Sequence, residues 1–302
     1  MGRRSHNETG IVPPWTLAVA AMLSVQLGSA LSVDVIETVG PAGTAWLRLT
    51  FGAVVLLAVA RPPQRTIRRA DVPLLVALGV TTGLVTIMFL AAIDRIPLGT
   101  AVAIEFLGPL SVAALHSHTR RAFAWTVVAL VGVVLLNQPW QGGVDALGVT
   151  FAALAAVGWA TYIVLTQRVG DRVSGIGGLS ITVPIAAVTA AVVGVPQAVG
   201  HLDPGVLLAT AGLALLLPVL PYTLELLALR RMTPNAFGTL MALEPAFGLL
   251  LGLVVLQQRP SALQLVGIAL VVLAGAAAQR GGLRQHEPSG DGTADDVVAP
   301  YP

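Results

Sequence analysis

Ten apolar stretches constrain this chain more than any other feature, because each approaches the roughly 20 residues an α-helix needs to cross the hydrocarbon of a bilayer. They run 15–33, 42–60, 72–93, 98–117, 122–138, 145–166, 175–196, 204–228, 235–256 and 261–279, joined by short connections. Backbone polar groups in hydrocarbon must be satisfied within the segment, so such stretches fold as helices. The expected fold is an all-α membrane protein of ten transmembrane helices, with almost nothing outside the bilayer. Composition agrees: 11% of residues are charged and mean hydropathy is +0.83, against about a quarter charged in soluble domains.

The first stretch, with GSALS near its end, has the outline of a secretory signal. The equally apolar stretches that follow make it the first span instead, after a cytoplasmic segment 1–14. Residues 281–302 are rich in Gly, Pro and Asp, have little to bury, and read as a disordered cytoplasmic tail. No cysteine is present, which excludes a disulfide framework and any Cys-based metal or redox site.

All 17 basic side chains are Arg. With the amino terminus in the cytoplasm, the inner segments hold Arg3, Arg4, Arg61, Arg65, Arg68, Arg69, Arg120, Arg121, Arg168, Arg172, Arg230, Arg231, Arg280 and Arg284, and the outer loops only Arg95 and Arg259. The outer loops collect Asp34, Glu37, Asp94, Asp145 and Asp203. That asymmetry follows the positive-inside rule for an even number of spans with both termini cytoplasmic. It is a topology signal and implies no nucleic-acid partner.

An internal repeat is also legible. DRIPLGTAVAIEFLGPL at 94–110 sets beside RRMTPNAFGTLMALEPA at 230–246, with Arg95 over Arg231 and Pro109 over Pro245. LVGVVLL at 130–136 sets over LVGIALV at 265–271 at nearly the same offset. Five spans separate the copies, an odd number, so residues 15–140 and 141–280 are expected to be two five-helix repeats of inverted topology, an architecture of secondary transporters. Gly108, Pro109 and Pro245 fall inside corresponding spans and are the candidate helix-break residues, since proline withholds a backbone donor. Pro218 and Pro221 in the eighth span read as ordinary membrane-helix prolines.

Four ionisable side chains lie well within the spans: Arg48, Glu105, Glu225 and Glu244. A charge at a helix centre costs about 3 kcal/mol on insertion scales, so such groups face the bundle interior or a wet cavity. At about 1.5 Å per residue, Arg48 and Glu105 each sit roughly 10 Å from the outer face, where they can meet. They form either a structural ion pair or a pair that opens for a ligand, Arg48 taking a carboxylate and a glutamate an amine or a proton. Glu244 is near the midplane with no intramembrane cation left to neutralise it, which suits a proton carrier. Glu225, close to the inner surface and Arg230, reads as a snorkelling or paired boundary residue. Trp46, Trp159, Tyr162 and Tyr222 are candidates to line a cavity, although packing and interfacial anchoring are commoner for aromatic residues. Thr86 is a candidate donor to a ligand. The histidines all fall in loops or at span ends, against a histidine proton relay.

No GxxxxGK[ST] phosphate loop and no HExxH zinc motif occurs, so neither nucleotide hydrolysis nor zinc catalysis by those routes is expected. A channel would show rings of like charge or a carbonyl filter. A membrane-embedded enzyme is the weaker alternative, and no catalytic residue, metal ligand or cofactor is assigned.

The stretches PLGTAVAIEFLGPLSVA, GWATYIVLTQR, LPYTLELLALRR and FGTLMALEPA, with SVQLGSALSVDVIETVGPAGTAWLRL before them, resemble the drug/metabolite transporter superfamily with its paired EamA repeats. Within it, the chain is most similar to the threonine and homoserine exporter branch over residues 15 to 280. The resemblance implies a ten-helix fold of two inverted repeats in the bacterial inner membrane, exporting small amino acids or related metabolites on the proton gradient. Its implied partners are such a metabolite, protons and the lipid bilayer, with a homodimer as a candidate assembly. The alternative is a carrier of another substrate class or an importer. Arg48, Glu105 and Glu244 match family positions. The chain departs from the branch in the third span, where VTIMFLAA at 85–92 leaves Thr86 as the only polar group. It departs again after the ninth span, where Gln257, Gln258 and Arg259 stand in place of an acidic residue.

Overall fold

A straight 46-residue helix would be about 69 Å long, over twice the hydrocarbon thickness, and α1 (Pro14–Val59) is not one rod. In a computed structural model of the chain, Gly40 breaks it with φ 73° and ψ 164°, a left-handed conformation that glycine adopts without a Cβ penalty. The arms are residues 14–39 and 41–59. Gln197 supplies the acceptor that the new helix start needs: its Oε1 accepts from the backbone N–H of Ala42 at 2.9 Å and of Gly43 at 3.3 Å. Asp34 and Glu37, expected in a loop after residue 33, are helical and exposed. The first arm extends past its apolar run because these charged turns remain at the surface.

The structure describes residues 13–59, 69–117, 120–141, 144–170, 178–229, 231–232 and 234–281. The expected terminal segment 1–14 (but for its last two residues), the tail from 282 onward, and Arg3, Arg4, Arg61, Arg65, Arg68, Arg172, Arg230 and Arg284 lie outside the described residues. After a short 3₁₀ turn come α2 (Val72–Ile93), α3 (Leu98–Glu105), α4 (Leu107–Ser117), α5 (Arg120–Asn137), α6 (Ala146–Gly170) and α7 (Leu179–Ala198). Then follow α8 (Pro204–Ala214), a π-type segment Leu215–Val219, α9 (Leu220–Leu229), α10 (Pro234–Met241), α11 (Glu244–Val254) and α12 (Ala262–Gly281). No strand occurs among the described residues. Among the described residues eight helical stretches are long and apolar enough to cross a membrane, the broken α1 counting as one, and Ala262–Ala278 is a shorter apolar helix.

Three stretches are interrupted, and proline explains each. Pro109 has no N–H for the Glu105 carbonyl four residues back, and the helix yields at Phe106 between α3 and α4. Pro245 likewise leaves the Met241 carbonyl without its partner, and the chain turns at residues 242–243. The reading of Pro218 and Pro221 as ordinary membrane-helix prolines is corrected. The eighth stretch opens between α8 and α9, where Leu217 is extended (φ −160°, ψ 111°).

With lipid outside, little hydrophobic force draws helices together, and small residues that let backbones approach do much of the packing. In α5 and α12, a Cβ on Gly132 would stand 2.6 Å from the Gly267 carbonyl oxygen, and one on Gly267 would stand 2.6 Å from that of Gly132. Gly194 of α7 lies as closely against Ala42, and Gly83 of α2 against the Ala186 carbonyl. Large apolar side chains such as Val192 and Leu208 point outward, 74% and 77% exposed. The most enclosed element is α3, every residue of which from Leu98 to Ile104 is buried. Its start is held by Gln258, whose Oε1 accepts from Leu98 N–H at 3.0 Å.

Candidate functional site

Helix breaks expose backbone and side-chain polar groups within the bundle, and all three proline-linked breaks meet one space. A cavity of about 250 Å³ lies among Gln26 and Ser29 of the first arm, Arg48 of the second, Thr82 and Thr86 of α2, and Glu105 at the end of α3. The later part of the chain closes it with Trp159 and Tyr162 of α6, Pro218 of the π segment, Pro221 and Glu225 of α9, and Glu244 at the start of α11. Arg48, Glu105, Glu244, Thr86 and Tyr162, scattered through the sequence, thus meet at one cavity. Tyr222 is helical, but its side chain lies outside the described residues. Gly108, Pro109 and Pro245 stand behind the wall and shape it through the breaks. A Cβ on Gly108 would lie 2.2 Å from the Ala156 carbonyl oxygen, so only glycine lets α4 approach α6 this closely. Pro245, fully buried, follows Glu244 in the first turn of α11.

Charge in the cavity is unequal. One guanidinium, Arg48, shares it with the three carboxylates Glu105, Glu225 and Glu244. Arg48 and Glu244 are buried. Arg48 Nη1 donates to Ser32 Oγ at 3.4 Å, and its positive charge acts on Glu105. Glu244 is within electrostatic reach of both Glu225 and Glu105. The reading of Glu225 as a boundary residue is therefore corrected: one and a half turns below the opened segment, it turns inward with the other acids rather than to the surface.

The hydroxyls around the cavity are committed as donors to their own helices. Ser29 Oγ donates to the Val25 carbonyl at 2.9 Å, Thr82 Oγ1 to Leu78 at 2.8 Å, and Thr86 Oγ1 to Thr82 at 2.8 Å. The Thr86 hydroxyl, its proton given to its own helix, therefore offers the cavity an acceptor rather than the expected donor. Trp159 packs edge-on to Phe106, ring centroids 6.4 Å apart, and so borders both the cavity and the core. Trp46 does not line the cavity and packs instead beneath α7 against Gly194. Gln26, Ser29 and Thr82 escaped the sequence reading, since neutral polar residues occur throughout the spans and only packing decides which face inward. No group of three or more His, Cys, Asp or Glu side chains among the described residues is arranged to hold a metal ion.

An all-helical, multi-pass membrane bundle that encloses a small charged cavity at its helix breaks is the build of a solute transporter, and comparison with known proteins agrees. Residues 146–277 match the EamA-like transporter family. The chain is 34% identical over 271 residues to the threonine/homoserine exporter RhtA of Escherichia coli (strain K12), covering 86% of this chain and 89% of that protein. It is 33% identical over the same coverage to the exporter of that name from Salmonella typhimurium (strain SL1344). A protein of known crystal structure, 22% identical, shares the fold with a TM-score of 0.57 over 87% of this chain and 96% of that one. The chain belongs to the EamA-like transporter family, and within it is similar to the threonine/homoserine exporters. It is a transporter and not an enzyme.

Proposed function

We propose that the protein is a secondary active exporter of threonine, homoserine or a related small amino acid across the inner membrane, driven by protons. The observation that carries this reading is the single cavity holding Arg48 together with Glu105, Glu225 and Glu244. A zwitterion needs a cation for its carboxylate and an anion for its ammonium, and a guanidinium suits the first because its fork matches a carboxylate. Glu105 ends α3, where carbonyl ends add negative potential that favours a cation. The ammonium belongs there, and the remaining acids are left for the coupled proton. The cavity volume, about 250 Å³, falls below the roughly 300–1,000 Å³ of sites for drug-sized ligands and suits a molecule the size of threonine. A proton crossing 100 mV supplies about 2.3 kcal/mol, enough for a gradient of order fifty-fold.

In this reading the chain crosses ten times, in inverted repeats 15–140 and 141–280, with both termini cytoplasmic. Gly40 divides the first stretch into two crossings and Ala262–Ala278 makes the tenth. Pairings also support it. The second crossing packs on the seventh and the fifth on the tenth, each pair being its own counterpart under exchange of the repeats. The third packs on the sixth, and its counterpart pairing, the eighth on the first, is made through Ser24 Oγ donating to Leu216 at 2.7 Å. Gly132 and Gly267, superposed by the sequence repeat, face each other with equal closeness. Such a pseudo-two-fold lets the halves exchange roles and open the cavity to either side.

The test is flux of labelled threonine in proteoliposomes, with and without an imposed pH gradient. Gradient-driven flux is expected in the wild type and is lost in Glu105→Gln, with the protein still folded. Undiminished flux in that variant would remove Glu105 from the site, and no gradient-driven flux in the wild type would reject proton-coupled threonine transport.

A further inference from the structure

One neutral side chain at the cavity is deeply buried and has an unanswered acceptor. Gln26 is 2% exposed, and its Oε1 has no hydrogen-bond partner among the described residues. A buried amide oxygen left without a donor is costly, and native structures keep few of them. Gln26 Oε1 lies 3.5 Å from where a Cβ on Gly248 would stand, one turn past Glu244 in α11. The Ser and Thr hydroxyls that line the cavity do not answer it, because Ser29, Thr82 and Thr86 each donate to their own helix. The cavity therefore presents a surplus of acceptors, and among the neutral ones Gln26 Oε1 is the one buried without a partner.

Resting on the reading of this cavity as an amino-acid site, we propose that Gln26 reads the side-chain hydroxyl of the transported amino acid, accepting its hydrogen bond through Oε1. The charged groups cannot make this distinction. Arg48 and the glutamates see the carboxylate and ammonium that every amino acid carries, whereas Gln26 offers a neutral acceptor, matched to a neutral donor. A site that hydrogen-bonds a hydroxyl rejects the analogue lacking it, since the acceptor is then left unpaired. Glutamine also has enough rotatable bonds to follow a hydroxyl borne on either the β or the γ carbon. One side chain can then serve substrates that differ only in where the hydroxyl sits.

The probe is 2-aminobutyrate, which is both threonine and homoserine without the hydroxyl. Competition against labelled homoserine in proteoliposomes should show the wild type preferring unlabelled threonine over 2-aminobutyrate by about ten- to hundred-fold. Gln26→Leu, of similar volume, should reduce that preference to within about three-fold by weakening threonine while leaving 2-aminobutyrate nearly unchanged. Gln26→Glu keeps an acceptor at the position and should retain a preference for threonine. The ratio is internal to each variant, so a lower yield of active protein does not move it. A Gln26→Leu protein that discriminates as the wild type does, or a Gln26→Glu protein that loses the preference, overturns the role of Gln26 and leaves the amino-acid reading standing. A wild type that carries homoserine and does not distinguish the two competitors also overturns it. No homoserine flux in the wild type overturns the substrate reading, and this inference with it.

Discussion

Glu225 is the residue whose role changes most between sequence and structure. Near the end of an apolar run and close to Arg230, it resembles an anchor at the membrane surface, yet it lines the cavity with Glu105 and Glu244. If it handles substrate or proton there, Glu225→Gln should reduce gradient-driven threonine flux about ten-fold or more with the protein folded; a surface anchor would lose little. Arg48 allows a finer test, because lysine keeps the charge and loses the planar fork. Arg48→Lys is expected to raise the KM for threonine about ten-fold, measured as concentration-dependent counterflow. Whether Arg48 and Glu105 act only as a structural pair is separable as well: the charge-swapped double variant should then regain the stability lost by either single change.

At the scale of the element, the breaks were legible only in part. Pro109 and Pro245 mark the interruptions of the fourth and ninth apolar stretches, and the chain yields within one turn before each, as a missing N–H requires. Pro218 and Pro221 carry the same chemistry, but whether a membrane helix absorbs a proline or opens at it depends on what its neighbours supply. Here the first arm supplies Ser24, which donates to the Leu216 carbonyl in the opened segment. Glycine contacts were less legible still, because one helical glycine reads like another. Gly108→Ala, whose Cβ would stand 2.2 Å from the Ala156 carbonyl oxygen, should destabilise the protein by about 1–3 kcal/mol. Gly212→Ala in α8, with nothing within 4 Å, should be neutral or slightly stabilising. Apparent melting temperatures in detergent separate the two.

For the whole molecule, the proposed alternation of inverted halves demands that contacts between them break and re-form. One set ties connecting segments of the two halves at one end of the bundle: Arg95 pairs with Asp145 at 3.6 Å, Gln258 holds Leu98, and Gln138 Nε2 donates to Ser261 Oγ. The chain has no cysteine, so an introduced pair is unambiguous. Oxidising a Gln138→Cys, Ser261→Cys double variant should stop threonine flux, and dithiothreitol should restore it; unchanged flux after full cross-linking would mean that this end does not open. Orientation is read the same way. A cysteine replacing Arg259 should react with an impermeant maleimide from outside the cell, and one replacing Arg65 only after permeabilisation.

By itself the sequence determined that this chain is a bundle of apolar helices, because long runs without charge have no other stable solution in a bilayer, where backbone groups find no water. It also singled out Arg48, Glu105 and Glu244, since a charge in hydrocarbon is too costly to be incidental. Only the tertiary structure decided that these residues share a cavity, that Glu225 and Gln26 join them, and that Thr86 offers an acceptor rather than a donor. Those are questions of which way a helix faces. In helices apolar on every side no amphipathic stripe records the answer, and close backbone contacts through Gly83, Gly108, Gly132, Gly194 and Gly267 set it instead.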